Sequence, residues 1–190
     1  FQSANRNKRS LTLDLTMPEG QEIAKGLIAK SDIMLENFRV GNLAKYGLAH
    51  DQLKADHPAL IYCSITGFGQ DGPYAERPGY DFLIQGMGGF MSVTGAPGGE
   101  PQRAGIPIAD LMTGMWTTVA VLAALRHRDV TGEGQYIDMA LLDCQAATMS
   151  NQALNYLATG EVPGLSGNMH PNITPYQVFA TDDGSIIVAV

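Results

Sequence analysis

The chain has 190 residues, of which 45% are hydrophobic and 16% charged, and its formal net charge is −7 at pH 7. These proportions are typical of a soluble α/β protein that buries a sizeable core in one domain, or in one domain and part of a second. The negative charge argues against nucleic acid as a partner. Threonine, arginine or glycine interrupts each apolar run, so the sequence predicts no membrane-spanning segment and no membrane partner.

Two cysteines, Cys63 and Cys144, lie within apolar patterns. This placement predicts buried free thiols in a reducing compartment, here the cytoplasm, and no disulfide framework. The histidines are scattered along the sequence. Their spacing therefore gives no reason to expect a metal site.

Both ends of the sequence resemble cut ends. The chain begins with Phe1-Gln2-Ser3 and no methionine, and it stops inside the strand pattern of residues 186–190. We therefore expect an internal segment of a longer protein, with the alternative that Phe1-Gln2-Ser3 is the remnant of a tag.

The first third of the sequence alternates between strand patterns and helix patterns. Leucines at every second position indicate a first strand, and Pro18 stands where a helix accepts proline in its first turn. β-Branched and aromatic residues indicate the clearest strand. This order predicts parallel βαβ units with right-handed crossovers. The predicted strands are 11–16, 33–35 (short and buried) and 60–65, and the predicted helices are 18–30, 40–46 and 50–56.

The remainder of the sequence contains two glycine- and proline-rich loops, a central helix and a terminal hairpin. We predict loops at 67–79 and 95–107, helices at 80–91, 110–128 and 141–159, and a strand at 135–139. Asp182-Asp183-Gly184 indicates the turn of a hairpin formed by 176–180 and 185–190. The predicted domains are the large α/β domain at 1–160, a linker at 161–175 and the start of a smaller domain at 176–190.

Asp110 opens the most regular apolar segment of the chain. The spacing of Leu111, Met115, Val119, Leu122 and Leu125 predicts a long, largely buried helix that ends with basic residues before Gly132. Asp110 then lies in the first turn, where free N–H groups and the helix dipole are expected to keep its carboxylate ionised. Aspartate is also a common capping residue, so Asp110 alone does not identify a site.

The segment Glu36-Asn37-Phe38-Arg39 follows a predicted strand, the position at which ligands gather in open α/β sheets. Phe38 is able to stack on a base, and Arg39 with Lys45 is able to contact phosphates. The alternative is an ordinary loop with a packed phenylalanine and solvated charges.

Several short motifs occur in a fixed order and together resemble one family. This ordered set is similar to the class III CoA-transferases, the CaiB/BaiF-like group of formyl-CoA transferase and carnitine CoA-transferase. The resemblance extends over essentially the whole segment, and it implies a Rossmann-like large domain, a smaller domain and an interlocked homodimer. The motifs are Asn5-x-Asn7-Lys8-Arg9-Ser10, Glu36-Asn37-Phe38-Arg39-x-Gly41, Gly67-Phe68-Gly69-x-x-Gly72-Pro73-Tyr74, Arg77-Pro78-Gly79-Tyr80-Asp81, Asp110-x-x-x-Gly114 and Thr131-Gly132-x-Gly134-Gln135.

The resemblance implies that Asp110 is the catalytic nucleophile. Its carboxylate would attack an acyl-CoA to give a mixed anhydride and then an aspartyl-CoA thioester, from which a carboxylic acid acceptor takes CoA. Coenzyme A and acyl-CoA are thus expected as substrates, with no metal. The residues that fall where relatives contact CoA are Leu13, Asp14, Leu15, Thr16, Asn37, Phe38, Arg39, Lys45, Arg77, Pro78, Gly79, Tyr80 and Asp81.

Two other functions stay open from the sequence. A related racemase of α-methylacyl-CoA uses a histidine where this chain has Tyr80, and tyrosine is a poor general base at neutral pH. A non-catalytic CoA-binding protein is the second alternative, and retention of Asp110 argues against it. Gly167-Asn168-x-His170-Pro171 resembles the family members that transfer CoA from succinyl-CoA to dicarboxylates.

Overall fold

The computed structural model describes residues 2–190. Phe1, the first residue of the segment that could be a tag remnant, lies outside the described residues. The helices are α1 (Gln2–Asn5), α2 (Pro18–Ile28), α3 (His50–Leu53), α4 (Asp81–Met87), α5 (Ile108–Thr131), α6 (Leu141–Thr148) and α7 (Ser150–Thr159). Short 3₁₀ helices lie at Leu43–Tyr46 and Met91–Val93. The strands are β1 (Ile33–Glu36), β2 (Ile61–Thr66), β3 (Tyr136–Ala140), β4 (Tyr176–Thr181) and β5 (Gly184–Ala189).

Strands β1, β2 and β3 form a parallel sheet in that order, which confirms the predicted α/β class and its parallel units. Cys63 on the central strand pairs with Leu35 on one side and with Ile137 on the other. Side chains alternate between the two faces of a strand. Tyr62 and Cys63 therefore point to opposite faces, and both are buried. Cys63 and Cys144 are free thiols, as predicted.

Helices and loops cover both faces of the central strand. On one face Tyr62 packs with a cluster from α2 and residues 43–60, in which Ile28 and Leu43 are buried. On the other face Ile65 packs against Ile84 of α4, Ala109 of α5 and Leu141 of α6. The start of α5 is therefore fixed at the end of β2 from which the chain leaves the sheet.

Two strand predictions in the first third differ from the structure. Residues 11–16 form no strand, because the Asp14 carboxylate accepts hydrogen bonds from the Thr16 N–H (2.9 Å) and hydroxyl (2.7 Å) and closes a local turn. Strand β1 exists but is not buried, because it lies at the edge of the sheet and Leu35 is 56% exposed. An alternating pattern alone does not supply a pairing strand.

The predicted helix over 141–159 is divided into α6 and α7. Ser150 has a φ of 47°, in the left-handed region that interrupts a right-handed helix. At the end of α6 the Thr148 hydroxyl donates to the Gln145 carbonyl (2.6 Å), a local bond that competes with helix continuation. The predicted helix over 80–91 likewise stops early, at Met87, before Gly89 with a φ of 81°.

Helix α5 is long, as predicted, but the expectation that it is largely buried is wrong. Its buried residues are the small side chains Ala109, Thr113, Thr117 and Ala124. Four of the five large apolar side chains predicted to face the core are exposed, with Met115 at 65%, and Leu125 is half-buried. Small residues let the helix backbone approach the sheet and the neighbouring helices closely, which leaves the bulkier face outward.

The composition argument against a membrane-spanning segment does not hold for α5, and the absence of a membrane partner stays a prediction. By length and composition α5 is able to cross a membrane, since an 18-residue window has a mean hydropathy of 1.6. Its threonine and glycine residues do not lower the hydropathy enough to exclude this. The core helix of a soluble protein meets the same two criteria.

The motif Thr131-Gly132-x-Gly134 joins α5 to β3. Gly132 has a φ of 80° and ends α5, as predicted. Gly134 donates its N–H to the Pro58 carbonyl (2.8 Å), and a Cβ atom at Gly134 would lie 2.7 Å from the Ala59 carbonyl carbon. Glycine at this position lets the backbone that leads into β3 lie against the backbone that leads into β2.

Arg128 connects the end of α5 to the loops that precede β1 and β2. Its guanidinium donates to the Asp32 carbonyl (3.3 Å) and the Ala59 carbonyl (3.4 Å), and it lies 3.1 Å from the Asp32 carboxylate. The Asp32 side chain is 77% exposed, so the ion pair itself contributes little. We therefore attribute most of the stabilisation by Arg128 to its hydrogen bonds with the two carbonyls.

We expect Arg128→Met to lower the unfolding free energy of the full-length protein by about 1–3 kcal/mol, because two carbonyls lose a charged donor. Urea unfolding of the two proteins measures this difference. Arg126→Met is the matched control, since Arg126 is an exposed arginine on the same helix, and its change should stay within about 0.5 kcal/mol. Equal losses for both substitutions would contradict the assigned role of Arg128.

The end of the chain forms the predicted hairpin. β4 and β5 pair in an antiparallel ladder in which Thr181 lies opposite Gly184. Residues 161–175 form neither helix nor strand. The division into a large domain, a linker and the start of a smaller domain stays a prediction, as does the interlocked homodimer.

Candidate active site

A cavity of about 480 Å³ opens at the carboxyl ends of β1 and β2. Ligands bind at this edge in open α/β sheets. Its walls come from the segment after β1, the end of β2, the loop before α4, and the first two turns of α5. The lining residues are Asn37, Phe38, Arg39, Val40, Ile65, Thr66, Gly67, Ala75, Glu76, Arg77, Pro78, Gly79, Tyr80, Asp81, Asp110, Thr113, Gly114 and Leu141.

The cavity brings most of the predicted site residues together. Asp110 shares its lining with residues 37–39 and 77–81. Leu13, Asp14, Leu15, Thr16 and Lys45 do not line it. Leu15 packs against the core cluster around Tyr62, and Lys45 donates to the Asn42 side-chain oxygen (3.0 Å). Contact of these five residues with CoA stays a prediction.

A backbone contact between Gly67 and Gly79 forms part of the cavity wall. A Cβ atom on Gly67 would overlap the Gly79 Cα atom and lie 2.7 Å from the Gly79 nitrogen. A Cβ atom on Gly79 would overlap the Gly67 Cα atom in turn. Only glycine at both positions lets the loop before α4 lie directly against the end of β2. The contact places residues 77–81 beside Asp110.

The first turn of α5 is capped by a residue of another helix. The Asp81 carboxylate accepts a hydrogen bond from the Ala109 N–H (2.9 Å) and a longer one from the Asp110 N–H (3.4 Å). Pro107, which precedes α5, provides no side-chain cap. Asp81 thus satisfies amide groups that are left free at a helix start.

Asp110 lines the cavity and is exposed there. Its carboxylate has no hydrogen-bond partner among residues 2–190. Partial burial at the cavity wall raises the pKa of Asp110 above its ordinary value, and the negative charge of Asp81 raises it further. The expectation that the helix start favours the ionised form is therefore wrong in direction. The physical reasons are the burial of the carboxyl, which disfavours its charged form, and then Asp81, which occupies the amides and adds a like charge.

The lining of the cavity also carries an exposed aromatic ring and two guanidinium groups. Phe38 is 46% exposed, and its N–H donates to the Glu36 carboxylate (2.7 Å), which holds the turn after β1. Arg77 lies over the Tyr74 ring, 4.1 Å from its centroid. Arg39 is exposed and also lines the cavity. Such a wall suits a ligand with a planar base and phosphates.

Several lining residues, among them Thr113 and Gly114, were not predicted from the sequence as site residues, and neither was Gln85, which does not line the cavity. Thr113 is buried, and its hydroxyl donates to the Ala109 carbonyl (2.7 Å). Gln85 is fully buried and binds Asp81 one helical turn earlier. The spacing of aspartate and glutamine at i and i+4 is the sequence signal that could have identified that pair. Within residues 2–190, no group of three or more His, Cys, Asp or Glu side chains is arranged to hold a metal ion.

Comparisons with known proteins place these features in one family. The model of CoA-transferase family III matches residues 1–190, and the chain belongs to this family. It is 52% identical over 190 residues to succinate–glutarate CoA-transferase of Agrobacterium fabrum, covering 100% of this chain and 48% of that protein. It is 40% identical over 188 residues to human succinyl-CoA:glutarate CoA-transferase, covering 99% of this chain and 43% of that protein.

A solved structure shows the same fold. A CaiB/BaiF family protein from Brucella suis is 54% identical and superposes with a TM-score of 0.88, covering 96% of this chain and 48% of that chain. The chain therefore spans about half the length of the relatives it matches.

Proposed function

We propose that the full-length protein transfers coenzyme A from an acyl-CoA donor to a carboxylic acid acceptor, with Asp110 as the nucleophile. The observation that carries this proposal is the Asp110 carboxylate itself, which lines the cavity without a hydrogen-bond partner among residues 2–190. A partnered carboxylate would have to give up a bond before it attacked. Membership of CoA-transferase family III supports the assignment.

Asp110 acts first as a nucleophile toward the thioester. A carboxylate oxygen attacks the acyl carbon, the carbon–sulfur bond breaks, and CoA leaves as a thiolate from a mixed anhydride. The thiolate attacks the aspartyl carbonyl of that anhydride and releases the donor acid as a carboxylate. The product is an aspartyl-CoA thioester, and no net proton is taken up or released.

The second half of the reaction repeats these steps in reverse. The acceptor carboxylate attacks the aspartyl thioester and expels the thiolate, which gives a second mixed anhydride. The thiolate then attacks the acceptor carbonyl and restores free Asp110. Phe38, Arg39 and Arg77 line the cavity and are suited to hold the nucleotide part of CoA, which keeps the thiolate near the anhydride between steps.

We propose a dicarboxylate acceptor of the glutarate type, with succinyl-CoA as the donor. The relatives named above act on succinate or succinyl-CoA and on glutarate, and the one from Agrobacterium fabrum is 52% identical to this chain. The segment Gly167-Asn168-x-His170-Pro171, which resembles dicarboxylate-type members, supports the same choice.

The test uses the full-length protein with succinyl-CoA and isotopically labelled glutarate. Labelled glutaryl-CoA is the expected product, and pentanoate, a monocarboxylate of the same chain length, should react much more slowly. Quenching with hydroxylamine should leave a hydroxamate on the peptide that contains Asp110, detected by mass spectrometry. Exchange without any modification of Asp110 would contradict the proposed nucleophile.

The same experiment separates the two alternatives. Deuterium from solvent entering the α-carbon of an acyl-CoA, without transfer between acids, would identify a racemase. CoA binding without an adduct or exchange would identify a binding protein. Either result would overturn the proposed function.

A further inference from the structure

A chain of three hydrogen-bonded groups joins α4 to the start of α5. Gln85 is fully buried, and its side-chain oxygen accepts from the Ala104 N–H (2.8 Å). Its side-chain nitrogen donates to the Asp81 carboxylate (2.6 Å). Because the Ala104 N–H can only donate, the orientation of the Gln85 amide is fixed. The other Asp81 oxygen accepts from Ala109 and Asp110.

This arrangement determines what surrounds the Asp110 carboxylate. The amide groups at a helix start carry a partial positive charge and favour a nearby anion. Here the nearest of them point at Asp81, so they are not available to Asp110. Asp81 also brings a full negative charge to the same turn. Both effects act against the ionised form of Asp110 and make that form more reactive once it exists.

We propose that Asp81, held by Gln85, is a positioning residue that fixes the first turn of α5 and strengthens Asp110 as a nucleophile. The proposal rests on the proposed function of Asp110. It assigns to Asp81 a role toward another protein group, in addition to the CoA contact predicted for it from the sequence.

Other charges near Asp110 do not account for the effect. The segment before α4 and the turn after β1 add charges of both signs along the cavity, while Asp143 lies in the first turn of α6 and Cys63 on β2. Burial is the larger cause of the raised pKa of Asp110, and Asp81 is the charge that raises it further. The titratable or charged side chains along the cavity are Arg39, Glu76, Arg77 and Tyr80.

The first measurement is the pH dependence of Asp110 acylation in a single turnover of the full-length protein. Asp81→Asn keeps an oxygen acceptor for the Ala109 N–H and removes the charge. We expect the acid limb to move to lower pH and the limiting rate to fall about tenfold or more. Gln85→Met keeps the Asp81 charge but loses both of its own hydrogen bonds. Its acid limb should stay in place while its limiting rate falls.

Asp143→Asn is the matched control, because Asp143 is an exposed acid in the first turn of a neighbouring helix and does not line the cavity. Its profile should equal that of the wild type. An acid limb that stays unmoved in Asp81→Asn, with only a lower rate, would show a merely structural role and overturn the proposal.

A second measurement does not depend on activity. In a double-mutant cycle of Asp81→Asn and Asp110→Asn, the changes in thermal stability should be non-additive at neutral pH, because either substitution removes the same repulsion. The coupling should fall as the pH is lowered through the range in which Asp110 takes up its proton, because a neutral Asp110 no longer repels Asp81. Additive effects at neutral pH would overturn the positioning role even in an inactive protein. A wild type that is never acylated would overturn the proposed function and with it the nucleophilic part of this proposal, while the coupling would still show that Asp81 sets the charge around Asp110.

Discussion

Replacing Asp110 with asparagine is expected to reduce CoA transfer by the full-length protein by about 1,000-fold or more, because an amide cannot attack the thioester or form the anhydride. CoA binding should change little, since the aromatic and cationic groups that line the cavity remain. Transfer rates with labelled glutarate and the dissociation constant of CoA are the two measurements. A variant that retains near-normal transfer would show that another group is the nucleophile.

The same substitution is expected to make the protein more stable at neutral pH. The pKa of Asp110 in the folded protein lies above its ordinary value, because of partial burial and then the Asp81 charge. A folded protein with such a carboxyl holds its proton more tightly, so the wild type loses stability as pH rises through the range between the two values. Asp110→Asn has no such loss. The difference in melting temperature should therefore appear only above the ordinary pKa of aspartate.

Two further variants, Asp110→Glu and Asp129→Asn, serve as controls for these two results. Asp110→Glu keeps a carboxylate but displaces it by one methylene group, so it should retain some acylation and lose most of the transfer rate. Asp129→Asn removes an exposed acid near the far end of α5. It should change neither transfer nor the pH dependence of stability. If Asp110→Asn and Asp129→Asn gave the same stability profile, the raised pKa of Asp110 would be contradicted.

Sequence patterns predicted the fold best where the residues of a segment determine its conformation by themselves. The β-branched and aromatic residues of β2 define the central strand, and Gly47 and Gly132 end their helices in the left-handed conformation. The pattern failed where a local side-chain hydrogen bond competes with strand pairing. Residues 11–16 alternate as a strand does, but Asp14 and Thr16 bond to each other instead.

Helix α5 shows the same limit in its packing. Its periodicity gives two possible inward faces, one of large residues such as Leu111 and Met115 and one of small residues such as Ala109 and Thr113. Hydrophobicity favours the first face, while close approach of the helix to the sheet requires the second. The structure buries the second face. A sequence read alone does not show how near the neighbouring elements lie.

The candidate site was predictable only in part. The resemblance identified Asp110 and the two segments at 37–39 and 77–81, and the structure places these around one cavity. The capping of α5 by Asp81 joins residues 28 positions apart, so no local pattern reveals it. Burial and then the Asp81 charge raise the pKa of Asp110, so the general preference of helix starts for anions predicted the direction wrongly.

Gly79→Ala is expected to damage both the stability and the activity of the full-length protein. Its Cβ atom would overlap the Gly67 Cα atom and lie 3.2 Å from the Gly67 nitrogen. Both neighbours are backbone, so no side-chain rotation relieves the overlap. Overpacking of a well-packed site costs about 1–3 kcal/mol, and a backbone-to-backbone clash lies at or above the upper end of this range. Thermal unfolding measures the loss.

The effect on activity follows from what the contact holds in place. The Gly67 carbonyl accepts from the Leu142 N–H (3.1 Å), so a shift at Gly67 also disturbs the start of α6. On the other side, Gly79 is two residues before Asp81, which caps α5. Separation of the two backbones should therefore move Asp81 away from Ala109 and lower acylation of Asp110 more than tenfold. Gly67→Ala should give the same pair of losses.

Gly26→Ala provides the matched control for the same chemical change. Gly26 lies within α2, and a Cβ atom there would have nothing within 4 Å. Alanine in a helix interior is more favourable than glycine by about 0.5–1 kcal/mol, so this variant should be slightly more stable than the wild type and fully active. The two substitutions add the same methyl group. Stability changes of opposite sign in the two variants would therefore be due to the contact between Gly67 and Gly79. A Gly79→Ala protein with wild-type melting and acylation would show that the two backbones do not touch, and the placement of residues 77–81 beside Asp110 would then be wrong.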